Sequence, residues 1–189
     1  MVSQALRELL TPLLRTQWVL WLAFAMTPLM LLVTGFVISA AGTEQTTPVE
    51  YALAAAGALA AVLAFAMLRR AGSDERIRTY LSSERTIPLE RMAMMPRSTA
   101  VDQSLLAKLQ TLSEQELRFY RLLIHYQKDF VIALALADAV PVIGLVHCAI
   151  TGRFPVLLAY VAVGLILLVA GRPRGQAVLN RAEGMQYLG

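Results

Sequence analysis

Four apolar stretches divide the chain: Trp18 to about Ala41, Tyr51 to about Leu68, Phe130 to about Ile150, and Phe154 to about Gly171. A helix rising ~1.5 Å per residue needs about 20 residues to cross a ~30 Å hydrocarbon core, and each stretch is close to that length. None alternates apolar and polar positions with period two, so the pattern does not predict a membrane β-barrel. Buried helices of a water-soluble protein carry a polar face. These segments lack one. The predicted fold is an all-α membrane protein with four transmembrane helices in two hairpins and a helical cytoplasmic insertion.

The hairpin loops are short. The first, Gly42 to Glu50, is turn-rich and holds no Lys or Arg; the second is Thr151-Gly152-Arg153, with Pro155 placed to open the next helix. A polar segment from Arg69 to Asp129 separates the hairpins. Of the 17 Lys and Arg residues, Arg153 alone falls in the two loops, and the rest lie before the first stretch, between the hairpins or after the fourth. The positive-inside bias then places both termini and the central segment in the cytoplasm. The resulting division is a cytoplasmic amphipathic segment 1–16, hairpin 17–70, cytoplasmic helical segment 71–128, hairpin 129–171 and cytoplasmic tail 172–189.

Within the polar parts, Leu6, Leu9, Leu10, Leu13 and Leu14 predict a short amphipathic helix lying at the membrane surface, with Trp18 and Trp21 in an interfacial aromatic belt. Ser73-Asp74-Glu75-Arg76 reads as a helix start. Ile87-Pro88-Leu89 and Met95-Pro96-Arg97 interrupt the chain. Ser98 is then placed to cap a long helix whose stripe is Val101, Leu105, Leu109, Leu112, Tyr120 and Ile124. No Gly or Pro separates that stripe from the third membrane stretch, so one helix is expected to run from the cytoplasm into the bilayer. The stripe serves either as a stalk packed on the other cytoplasmic helix or as a surface, 98–127, for a homo-oligomer or a membrane-complex partner. Ser39-Ala40-Ala41 offers small residues for signal cleavage, but the apolar run is too long for a signal core, so the first stretch is expected to stay as an anchor. No lipidation motif is present.

Composition sharpens the class. Of 189 residues, 57% are hydrophobic and 16% charged, and the mean hydropathy is +0.58, where a soluble domain carries roughly a quarter charged residues. A soluble enzyme, a disordered tail and a disulfide scaffold are all disfavoured; Cys148 is the single cysteine. The net charge of +4 does not point to nucleic acid, because the basic residues are interleaved with Asp74, Glu75, Glu84, Glu90, Asp102, Glu114 and Glu116. Attraction to anionic headgroups accounts for the flanking arginines.

No Walker loop, dinucleotide fingerprint, His-Glu-x-x-His or Cys-x-x-Cys occurs, so no catalytic set and no cofactor are expected. His125 and His147 are predicted near opposite membrane faces, which disfavours a shared metal. Asp138 is the exception in an otherwise apolar stretch. It lies about 12 Å inside the cytoplasmic edge, where a charged form costs on the order of 2.5–3.5 kcal/mol, so its carboxyl is expected to be neutral or partnered. Pro141 has no N–H and frees the carbonyl of Ala137 beside it; Pro28 frees that of Phe24, and Thr27 offers a hydroxyl at similar depth. Asp138, Thr27, Pro141 and Pro28 are therefore expected to form one polar layer. Two readings stay open: a structural hydrogen bond between helices, or a proton or cation site. Ala52, Ala56, Ala60 and Ala64, with Gly57 and Ala61 beside them, and Gly144 with Cys148, are the candidate helix-packing rows.

The string from Ala133 to Val146, with Asp138 and then Gly144 six positions on, resembles the ion-binding helix of rotary ATP synthase c subunits. That resemblance implies Asp138 as the carboxylate that carries a translocated proton or sodium ion, and Gly144 as the downstream glycine. The whole-chain pattern, closing on Arg172-Pro173-Arg174, resembles small uncharacterised bacterial four-helix inner-membrane proteins. It implies a multi-pass plasma-membrane location and no established activity. The functional expectation is a non-enzymatic accessory or scaffold component of a membrane assembly. The alternative is a proton- or cation-coupled channel or transporter component using Asp138.

Overall fold

The computed structural model describes residues 4–39, 48–82 and 102–186. Among them are seven helices and no strand: α1 Gln4–Ser39, α2 Val49–Ala71, α3 Asp74–Ser82, α4 Gln103–Gln110, α5 Glu114–Thr151, α6 Phe154–Ala170 and α7 Gly175–Gln186. The expected proline breaks at 88 and 96 and the Ser98 cap lie outside the described residues, as do most of the first loop and the 40–41 part of the cleavage site. Helices α1, α2 and α5 are long and apolar enough to cross a membrane; α6 meets that length when taken together with α7. The chain divides into two compact units: 1–16, 72–127 and 174–189 form the first, and 17–71 with 128–173 form the second.

The first unit holds α3, α4, α7, the start of α1 and the first part of α5. Its buried side chains come from each of these, among them Leu6, Leu10, Ile77, Leu109, Leu122, Leu123, Val178 and Ala182. Helix α3 packs on α7, where Arg181 donates to the Gly72 carbonyl at 3.2 Å and stands 3.8 Å from Asp74. The Arg174 N–H donates to the Tyr126 hydroxyl at 3.2 Å. Burial pushes the Tyr126 phenol above its ordinary pKa, against the opposing effect of that donor. The Ser73 hydroxyl accepts from the Arg76 N–H at the start of α3, and Asp74 and Glu75 occupy its first turn, as the sequence predicts.

Two expectations are corrected here. Leu6, Leu9 and Leu10 are covered by protein, and α1 runs from Gln4 to Ser39 as one helix. The described part of the N-terminal segment is thus packed within the first unit through Leu6, Leu9 and Leu10, while Leu13 and Leu14 are only partly covered. The long cytoplasmic helix is also two helices, separated at 111–113. Asp102 caps α4, its carboxylate accepting from the N–H groups of Ser104 and Leu105. Ser113 and Glu116 then cap α5 reciprocally: the Ser113 N–H donates to the Glu116 carboxylate at 2.9 Å and the Glu116 N–H to the Ser113 hydroxyl at 3.3 Å. From Glu114 onward the helix continues unbroken to Thr151. The apolar stripe itself is spent inside this unit, with Leu109, Leu112 and Tyr120 buried.

The second unit is a bundle of α1, α2, α5 and α6, and α6 touches the other three. The pair Gly57–Tyr160 and the pair Gly171–Leu68 share one sequence separation with the ion pair Glu50–Arg153, so α2 and α6 run parallel. Gly144 meets Tyr160 and Gly164 meets Pro141, so α5 and α6 run antiparallel. Trp21 donates its indole N–H to the Leu168 carbonyl at 2.8 Å, and Gly35 meets Leu157, so α1 and α6 are antiparallel too. Leu157, Val161 and Cys148 form the bundle's buried cluster. Gly152, at φ 68°, makes the turn between α5 and α6 in a left-handed conformation that favours glycine. Pro155 sits in the first turn of α6, as predicted.

Outside that seam the bundle is apolar. Met30, Val33, Phe36, Val62 and Ile166 are each at least 64% exposed. In water such a surface would drive association; in a hydrocarbon solvent it costs nothing.

Candidate functional site

Thr27 on α1 and Asp138 on α5 are brought together. The Thr27 side chain lies beside the Asp138 carboxyl, and its hydroxyl donates to the Ala23 carbonyl one turn back at 3.5 Å. The second carboxyl oxygen, Oδ1, is buried and has no partner among the described residues. Pro28 is buried directly after Thr27, and Pro141 is buried less than one turn beyond Asp138. The expected carboxyl and hydroxyl stand side by side with a proline near each, but neither proline breaks its helix: α1 and α5 run on through Pro28 and Pro141.

The reason lies in the register of α1 on α5. The thiol of Cys148 points at the Gly35 carbonyl, 3.8 Å away, while Thr27 meets Asp138 eight residues earlier on α1 and ten earlier on α5. The two helices advance together, and the Asp138 level is one step of that seam. A third element closes it. A Cβ on Gly164 of α6 would stand 2.8 Å from Pro141 Cδ and 3.5 Å from the Ala137 carbonyl oxygen. The carbonyl opened by Pro141 is thus covered by a backbone that only glycine brings this near.

A half-buried carboxyl beside a hydroxyl, with one buried and unpartnered oxygen, has two chemical uses. Protonated, it can donate; ionised, it can join carbonyl oxygens around a cation. Either use calls on Asp138 as the exchanging group and Thr27 as the orienting one. Among the described residues no group of three or more His, Cys, Asp or Glu could hold a metal ion. His147 is engaged elsewhere, its Nδ1 lying 3.2 Å from the Tyr160 hydroxyl.

The candidate packing rows divide. Gly144 is a contact point: a Cβ there would meet Tyr160 Cβ at 2.4 Å. On α2, Ala64 is buried and Ala60 partly so, but Ala52 and Ala56 are exposed. The intramolecular seam instead follows Gly57, Ala64 and Ala71. The seven-residue spacing of a parallel helix pair wins over the four-residue alanine row. Gly164 and Tyr160 were not singled out from sequence, and Trp21, expected in an aromatic belt, donates instead to the Leu168 carbonyl of α6. Gly164 lies in step with Leu157, Val161 and Leu168 on one face of α6, and that periodicity is the signal that could have found it.

No protein-family model, no curated protein and no solved structure matches the chain.

Proposed function

We propose that this chain is a multi-pass plasma-membrane protein with four spanning helices, α1, α2, α5 and α6, in two hairpins. Both termini and the segment between the hairpins are cytoplasmic. Its role is non-enzymatic: an accessory or scaffold component of a membrane assembly. The observation that carries the membrane part is the girdle of large apolar side chains left exposed on these helices; only 11% of the apolar window of α1 is covered by protein. The distribution of arginines supports the orientation. The scaffold part rests on the first unit, a helical body with its own buried side chains that gathers residues from both ends and the middle of the chain.

Since the apolar stripe of the 98–127 segment is turned inward, a partner docks on the polar face of α4 and α5, where Lys108, Glu114 and Arg118 are exposed. Reversing Lys108→Glu and Arg118→Glu together should abolish co-purification of the assembly from membranes, while the variant stays folded by helical content. Undiminished recovery of the same assembly would refute the scaffold reading.

A second reading is favoured by one observation, the enclosed and unpartnered Oδ1 of Asp138 beside Thr27. In it the chain, as an oligomer or within a larger complex, moves protons or a monovalent cation through that carboxyl. Asp138→Asn should then abolish flux into liposomes with insertion unchanged. Wild-type flux from that variant sinks this reading.

A further inference from the structure

A groove of about 420 Å³ runs between α2 and α6, walled by Ala54, Gly57, Ala58 and Ala61 on one side and Tyr160 on the other, with Val140 of α5 beneath. Ala159 and Val163 of α6 complete its lining, and Val163 is 41% exposed. The small α2 side chains leave a channel that the neighbouring large ones would fill. One turn before Ala54, at the N-terminal end of both helices, stand Glu50 and Arg153. Their closest approach is 3.9 Å, and Arg153 is 39% exposed. The second oxygen of Glu50 is buried and has no partner among the described residues.

We propose that this groove holds one acyl chain of an outer-leaflet phospholipid whose phosphate lies on Arg153 and whose ammonium group lies on the Glu50 carboxylate. The inference rests on the membrane reading above, since α2 and α6 then begin at the outer face. From Glu50 to Ala61 the helix rises about 16 Å, close to half of a ~30 Å hydrocarbon core, so the groove ends where the chain of a single leaflet ends. The charge pattern selects the headgroup. A cation and an anion held this loosely side by side, 3.9 Å apart, complement a zwitterion carrying phosphate and a primary ammonium. An anionic headgroup without the ammonium would meet Glu50 as a like charge. Ala54 and Ala58 are exposed and lie off the Gly57–Tyr160 contact, so they can be enlarged without touching the seam.

The test uses the full chain, extracted in mild detergent and incubated with vesicles of equimolar phosphatidylethanolamine and phosphatidylglycerol, then examined by native mass spectrometry. The wild type should retain one phosphatidylethanolamine per chain. Ala58→Leu, or Ala54→Leu should the first fail to fold, should lose it, whereas Ala55→Leu, outside the groove, should keep it. Glu50→Gln should retain a lipid but lose the preference for phosphatidylethanolamine. Equal retention in Ala58→Leu and wild type overturns the proposal, because lipid then binds elsewhere. So does an Ala58→Cys variant that cross-links to a second copy in the membrane, because a helix then fills the groove. If the chain needs detergent yet keeps no lipid, the proposal fails alone. If it is recovered without detergent, the membrane reading fails with it.

Discussion

Two glycine-to-alanine substitutions should change stability in opposite directions. In a helix alanine is favoured over glycine by about 1 kcal/mol, so the bare propensity predicts stabilisation everywhere. Gly184 on α7 meets nothing within 4 Å of an added Cβ, so Gly184→Ala should stabilise by about 0.5–1 kcal/mol. At Gly144 the added Cβ would sit 2.4 Å from Tyr160 Cβ and 2.7 Å from its Cγ. These are atoms next to the backbone, which cannot swing aside as a side-chain tip can, so α5 and α6 must separate. Overpacking of this kind costs about 1–3 kcal/mol, often enough to exceed the propensity gain. The ring is also held on its other side, where Gly57 faces Cε1 and the hydroxyl meets His147. Gly144→Ala should therefore destabilise by about 1–2 kcal/mol net. Denaturant or thermal unfolding of the detergent-solubilised protein measures both changes. The double variant with Tyr160→Ala should recover little, because alanine keeps the Cβ that stands 2.4 Å away and the buried ring is lost as well. Gly144→Ala as stable as wild type, or more so, would refute the α5–α6 packing described here.

Two further predictions concern α4 and α5. Ser113→Ala removes the hydroxyl half of the reciprocal cap on α5, leaving the residue-113 N–H on the Glu116 carboxylate, and should cost about 1 kcal/mol, with amide exchange quickening first in that helix's opening turn. At Asp102, bonds from Ser104 and Leu105 hold the carboxyl below its ordinary value of 3.8. The folded pKa is the lower one, so the cap's contribution is full above the unfolded value and fades as pH falls through the folded one. The Ser104 and Leu105 amide resonances should accordingly move only below about pH 4, and Asp102→Asn should abolish that titration.

The sequence was most legible where one kind of side chain dominates a long run. The four apolar stretches became helices because no competing signal interrupts them, and the 111–113 break was missed because an apolar stripe continued across it. The information was there in Ser113-x-x-Glu116, a local capping pattern that ends one helix and starts the next. Asp138 and Thr27 could be placed near one another from their positions in the apolar stretches alone, since a carboxyl in such a stretch has few polar groups to choose from. The glycine contacts could not be read in that way. Gly164 against Pro141 and Gly57 against Tyr160 depend on which helix faces which, and on a parallel α2–α6 register that no local pattern encodes. For the same reason the alanine row at 52 and 56 pointed to a packing face, while the seven-residue spacing of Gly57, Ala64 and Ala71 was the one used.

The central claim is the disposition of this chain across a bilayer, and cysteine labelling reads it directly. In a Cys148→Ala background, single Arg153→Cys, Gln110→Cys and Gln176→Cys variants would be expressed and sealed vesicles of both orientations treated with a membrane-impermeant maleimide. Arg153→Cys should label only from the outside, and the other two only from the cytoplasmic side. Labelling of all three from the same side would contradict the account.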